Sequence, residues 1–247
     1  MKPKIALCLS GQLRNWDLLR PCFLYLKNYY KDIDLKIFGS TWTDETYSIS
    51  DDKELFDLSE ELDFNSIAQY PRFSENNEKY TYLLFKSHLL RNKYEVENNY
   101  TFDKVIWTRL DCLVKTDMID NVLNSRLTRD RTIYHQSQID ARLEGPAYFY
   151  SLNDNICFGT PHSMDTYSNM FLYFYCNKNI NMYPCAHAVN PYFMIANSLL
   201  AHSYPILYTI VRERHRGLMK KDIKDMGMET FMSTYKKYKF DDEPIPE

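Results

Sequence analysis

The chain has 247 residues, a length that suits one large domain or two closely joined ones. Lys and Arg total 30 against 33 Asp and Glu, and the resulting net charge of −3 lacks the basic surplus with which a general nucleic-acid binder displaces counterions from phosphates. Hydrophobic residues at 45% and charged residues at 26% describe an ordinary globular chain, and no run of about 18 apolar residues offers a membrane-spanning helix.

The first residues, MKPKIALCLSGQLR, hold too short an apolar stretch for a signal peptide and read as a buried strand over Lys4 to Leu9. Residues 17 to 31 follow with Leu19, Cys22, Phe23, Leu26 and Tyr30 at helical spacing, and Pro21 is expected in the first helical turn. Asp34 to Trp42 is a second strand. Strand, helix and strand within about 40 residues form the unit of a parallel α/β sheet.

Residues 44 to 63 are strongly acidic and are expected to form a solvated loop and helix. Lys79 to Glu97 carries apolar residues at helical spacing. Phe102 to Thr108 is a β-branched and aromatic run that stops at Arg109-Leu110-Asp111. Further strands are expected at Arg131 to His135 and Asn155 to Phe158, and helices at Met164 to Phe174 and Pro191 to Leu200. The segment after Val211 has a basic surplus, and its last residues, DDEPIPE, read as a frayed end.

Six cysteines stand at 8, 22, 112, 157, 176 and 185 without a CxxC pair, which excludes a disulfide scaffold and a cysteine-based zinc site. A reducing cytoplasm is the expected compartment. Glycine is scarce at 6 and tyrosine abundant at 21. The tyrosines read either as stacking platforms for sugars and bases or as rings spanning the boundary between core and water.

In an open parallel sheet, ligands sit beyond the C-terminal ends of the strands. The first strand ends in Ser10-Gly11-Gln12-Leu13-Arg14. Gly11 permits a tight turn, amide groups at the following helix start favour an anion, and Arg14 offers a forked contact. A plain strand-to-helix turn needs the same glycine, so both readings stay open. The segment is neither GxGxxG nor a Walker loop. At the third strand end, Asp111 is a candidate ligand for Mg²⁺ or Mn²⁺ facing a diphosphate, while a structural Arg109–Asp111 ion pair is the alternative.

Taken together, the strand running into Ser10-Gly11-Gln12-Leu13-Arg14, the strand running into Ser40-Thr41-Trp42, and the long helix before Phe102-Asp103-Lys104-Val105-Ile106-Trp107-Thr108-Arg109-Leu110-Asp111 resemble a family. So does Asp154 to Pro161 with Met164 following. The pattern is similar to small nucleotide-sugar glycosyltransferases of the GT-A class, in a bacterial and viral sub-group. The resemblance covers roughly residues 1 to 215. It implies a single GT-A-like, Rossmann-like α/β domain with a mostly parallel central sheet flanked by helices. Residues 1–111 would be its nucleotide-binding half and 112–215 its acceptor half, followed by a basic helical tail at 216–247.

The resemblance also implies roles. Ser10, Gly11, Gln12 and Arg14 would cradle the nucleotide of a UDP- or GDP-sugar, with Trp42 beside them. Asp111 would stand at the second acid of the family's Asp-x-Asp motif and, with His215, hold a divalent cation, Mn²⁺ or Mg²⁺. Arg109 replaces the first acid and would touch the diphosphate or sugar. Lys86 would reach the donor, or else be a solvated helix lysine. Asp154 would contact the hydroxyl of a glycan or other acceptor as general base, or else cap a turn. The acid that such enzymes often carry before the next helix is missing from residues 184–191. The resulting expectation is sugar transfer to an acceptor hydroxyl in surface glycan synthesis. Its rivals are a non-catalytic nucleotide- or glycan-binding module and a glycosidase using Asp111 and Asp154.

Overall fold

The computed structural model describes residues 2–68, 76–125, 131–138, 151–176, 193, 197–203 and 208–234. Strand β1 (Lys4–Gly11) lies in the middle of a seven-stranded sheet and pairs parallel with β2 (Asp34–Trp42) on one side and β4 (Lys104–Arg109) on the other. Leu7 stands opposite both Ile37 and Ile106. Both faces of β1 are buried, which is why it reads as a continuous apolar run rather than an alternating one. Ile5, Leu7 and Leu9 face one core; Ala6 and Cys8 face the other.

Helix α1 (Trp16–Tyr29) covers the first face, together with α4 (Thr116–Asn124) and the C-terminal helix α7 (Arg216–Ser233). Helix α3 (Asn76–Asn98) covers the second face. On that side Arg91 is fully buried; it bonds Glu95 at 2.7 Å and joins α3 to Asp165 of α5 (Pro161–Ser168). Helix α7 is no appendage. Met219, Phe231 and Met232 lie in the same core as β1, and Lys115 Nζ donates to the Phe231 carbonyl at 2.6 Å, so a boundary at residue 215 runs through one packed unit.

The strand order is β3-β2-β1-β4-β7-β6-β8, with β3 (Leu58–Leu62), β6 (Thr132–Gln138), β7 (Ser151–Gly159) and β8 (Leu200–Ser203). The four strands from β3 to β4 are parallel, β7 is antiparallel to both neighbours, and β6 pairs parallel with β8. The fold is α/β with a mostly parallel sheet. A second sheet pairs β5 (Cys112–Val114) with β9 (Tyr208–Ile210). Among the described residues, no helix is long and apolar enough to cross a membrane.

Several expectations need correction. The acidic segment 44–63 ends in strand β3, an edge strand whose residues are all half-buried, so it tolerates the charges that suggested a solvated loop and helix. A five-residue helix, α2 (Phe64–Ala68), comes only afterwards. Pro21 stands inside α1, not in its first turn, because the helix already begins at Trp16. Met164 to Phe174 is divided between α5 and α6 (Met170–Cys176), broken at Asn169. Pro161 and the Thr160 hydroxyl, which accepts from the Ser163 amide at 3.2 Å, start α5 ahead of the expected position. The helix expected over 191–200 falls largely outside the described residues, and Leu200 opens β8.

Candidate functional site

At the C-terminal edge of β1 and β2 opens a cleft of about 710 Å³, lined by Gln12, Leu13, Arg14, Asn15, Trp42, Thr43, Asp44, Thr46, Tyr47 and Arg216. The sheet topology places it there. From β1 the chain moves outward through β2 to β3, then returns to the other side of β1 as β4, so the order reverses between β1 and β4. Loops diverge at such a point and leave a crevice.

The loop after β1 builds the floor. Gly11 has φ +123°, a conformation that side chains rarely adopt. Its carbonyl accepts from the Thr41 hydroxyl at 2.7 Å, which ties the ends of β1 and β2 together. Asn15 is left-handed, with φ 55°, and its backbone carbonyl accepts from the Leu18 and Leu19 amides as α1 begins. Its side-chain amide donates to the Val211 carbonyl at 3.1 Å.

The wall after β2 is aromatic and polar. The half-buried Trp42 ring stacks on Tyr82 at 6.0 Å and meets Phe64 edge-on at 5.3 Å. Asp44 accepts from the Thr46 and Tyr47 amides, which folds the loop back over the cleft. Opposite, Arg216 forks onto Asp17 at 2.8 and 2.5 Å, and Tyr47 donates to the same carboxylate at 3.2 Å. The hydrogen bonds from Arg216 hold the Asp17 carboxyl below its ordinary value.

Behind Arg14 lies Asp111, whose side chain is only 4% exposed. Arg109 closes both carboxylate oxygens in a fork, Nε to Oδ1 at 2.8 Å and Nη2 to Oδ2 at 2.6 Å, and its Nη1 donates to Asn155 Oδ1 at 3.1 Å. Arg14, 63% exposed, brings Nη1 to 4.0 Å from Asp111 Oδ2. The site resembling Asp-x-Asp is thus one carboxylate between two guanidinium groups.

These residues do not fit a divalent cation. Both oxygens of Asp111 already accept from a permanent cation. His215 is buried, and its ring nitrogens face the Arg212 amide at 3.3 Å and Arg214 Nε at 3.4 Å. Among the described residues, no group of three or more His, Cys, Asp or Glu is arranged to hold a metal.

Of the residues expected at the site, Gln12, Arg14 and Trp42 line the cleft, and Gly11 shapes its floor. Ser10 does not line it; it is buried, and its hydroxyl accepts from Trp107 Nε1 at 2.8 Å. Lys86 pairs with Glu60 at 3.1 Å and is also absent from the lining. Asp154 lies on β7; the pairing of Thr108 with Ile156 carries it to the same sheet edge as Arg109, but its side chain lies outside the described residues. Sequence reasoning missed Arg216, Asp17, Tyr47 and Asn155. The Arg-Glu-Arg-His-Arg run drew attention to His215, whereas its neighbour Arg216 reaches the cleft.

No known family profile and no curated protein matches this chain. Solved structures with a similar layout include a glycosyltransferase involved in the glycosylation of the major capsid of PBCV-1, at 9% identity and TM-score 0.48, over 90% of this chain and 99% of that one. The galactosyltransferase LgtC in complex with donor and acceptor sugar analogs has 10% identity and TM-score 0.44, over 94% and 84%. The glycosyltransferase GlyE of Streptococcus pneumoniae TIGR4 has 9% identity and TM-score 0.43, over 99% of this chain and 53% of that one. Likeness of this degree assigns neither an activity nor a residue.

Proposed function

We propose that the chain is a sugar transferase that takes a nucleoside diphosphate sugar into the cleft beyond β1 and β2. The observation that carries this reading is the pairing of a half-buried indole, Trp42, with a largely exposed guanidinium, Arg14, across one concave site at the C-terminal edge of a parallel sheet. An aromatic face suits a base or sugar, and a forked cation suits a phosphate. In the reaction, an acceptor hydroxyl oxygen bonds to the sugar C1 as the bond from C1 to the diphosphate oxygen breaks. The bonding pair stays on that oxygen, and the hydroxyl proton passes to a base, for which Asp154 is our candidate. Surface glycans are the acceptors we favour. Cys8, Cys22, Cys112 and Cys157 are buried free thiols, which supports a cytoplasmic site of action.

A second reading is binding without turnover. It is favoured by the lining carboxylate Asp44, which is engaged by backbone amides and not poised as a base. A glycosidase fits less well, since the Arg109 fork leaves Asp111 unable to serve as one of two working acids.

A thermal-shift panel of UDP, GDP, CMP and ADP tests the donor reading. Saturation at 100 times Kd stabilises by roughly 2.7 kcal/mol, so one nucleotide should stand out. Release of that nucleoside diphosphate from its sugar conjugate then separates transfer from binding alone. Stabilisation by free sugars and by no nucleotide would reject the proposal.

A further inference from the structure

We infer that charge on the donor's diphosphate is met by Arg14, assisted by Arg216, and not by a divalent cation on Asp111. This rests on the donor reading above but departs from the metal motif that the sequence resembles. Asp111 is buried and carries its own counter-ion in the two-point Arg109 fork. A cation placed on those oxygens must displace the fork or share the carboxylate with it, and either way stands within a few ångströms of the same guanidinium, a like-charge contact in a poorly solvated layer. Among the described side chains, Arg109 and Arg14 are the two guanidinium groups that approach Asp111, and Arg14 is the one that lines the cleft. Arg14 is the group able to move: it is 63% exposed and approaches Asp111 only to 4.0 Å.

Arg216 lines the same cleft, beside the Arg14 loop: its Nη1 lies 3.4 Å from Asn15 Oδ1. Its partner, Asp17, is partly exposed, so the fork between them is solvent-screened and open to exchange with a phosphate oxygen. When the bond between C1 and oxygen breaks, the electron pair arrives on a diphosphate oxygen to which Arg14 donates hydrogen bonds. The geometry gives Asp111 a positioning part: it holds Arg109 and aims Arg14, and it touches neither donor nor metal.

The experiment is a titration of the nucleotide selected by the panel, with the full chain, in EDTA and again in Mn²⁺. Isothermal calorimetry and thermal shift supply the readouts. The expected result is a Kd in EDTA within about threefold of that in Mn²⁺, and a Kd at least tenfold weaker in Arg14→Ala in both buffers. Should Arg14→Ala fold poorly, Arg14→Gln serves, because its neutral amide keeps a polar, flexible side chain but not the charge. Binding that requires Mn²⁺ and vanishes in Asp111→Asn would overturn the inference while leaving the donor reading intact. Binding in EDTA that Arg14→Ala and Arg14→Gln leave unchanged would overturn it too. If no nucleotide binds in either buffer, the donor reading falls first and the inference with it.

Discussion

The side-chain amide of Asn15 holds the backbone carbonyl of Val211 at 3.1 Å, joining the loop after β1 to the segment that delivers Arg216 to the cleft. The two residues are 196 positions apart, and the bond acts beside the Arg216–Asp17 fork in tying these distant segments together. Asn tolerates the left-handed backbone found here, and a buried carbonyl left without a donor is costly. Asn15→Gly keeps the conformation and loses the bond, at an expected cost of about 1–3 kcal/mol. Asn15→Ala adds backbone strain of roughly 1 kcal/mol more. Urea unfolding of both variants checks the order; equal stability of Asn15→Gly and the parent would dismiss the tie.

Asp111→Asn should destabilise the chain even where no ligand is present. The amide keeps one acceptor oxygen but not the charge facing Arg109, and a hydrogen bond to a charged group is worth about 1.5–3 kcal/mol. The loss should be the same in EDTA and in Mn²⁺, as read from the urea midpoint. Destabilisation seen only when Mn²⁺ is present would point back to a metal ligand.

Gly39→Ala is expected to damage the core without touching the cleft. A methyl group there would lie 2.5 Å from a ring carbon of Phe56, which is buried and stacked on Trp16 at 6.0 Å. Overpacking of this kind costs about 1–3 kcal/mol. Gly39→Ala/Phe56→Leu should recover part of the loss, since the shorter side chain leaves room. No recovery in a denaturation series would place the strain elsewhere.

His88 sets an acid limit on stability. It is fully buried on α3, neither ring nitrogen has a hydrogen-bond partner among the described residues, and burial, then the nearby Arg91 charge, push its pKa well below the ordinary value. The unfolded chain therefore takes up a proton as pH falls through about 6.5, while the folded chain does so only at much lower pH. The unfolded state binds more protons in that window, so stability falls with falling pH, by at most about 1.4 kcal/mol per pH unit from this group. His88→Leu should flatten the profile between pH 6.5 and pH 5. A parent and variant with parallel profiles would remove His88 as the cause.

The legible parts of the fold were those with strong local patterning. β1 and β4 carry apolar residues on both faces, and β2 has Leu35, Ile37 and Phe38 at its centre, so the pattern itself marks each strand. β3 was hidden because an edge strand accepts the acids Glu60 and Glu61. The three-residue β5 has no periodicity to read and depends on pairing with β9 from far along the chain. The same division holds at the site. Gln12, Arg14 and Trp42 follow directly from strand ends, whereas the partners of Ser10 and Lys86, Trp107 and Glu60, are tertiary choices that no local pattern announces. Arg109 and Asp111 are legible as a pair, but the two-point fork and the depth at which Asp111 is buried are set by the folded structure.

The packing of α7 against the β1 face has a consequence for biosynthesis. Ile5, Leu7 and Leu9 leave the ribosome well before Met219, Phe231 and Met232, which share their core. Until then the part of that face which α1 and α4 leave to α7 stays uncovered on the nascent chain, in reach of chaperones and of other unfinished copies. Stalled or prematurely terminated products should accordingly collect as inclusion bodies instead of accumulating as a working fragment.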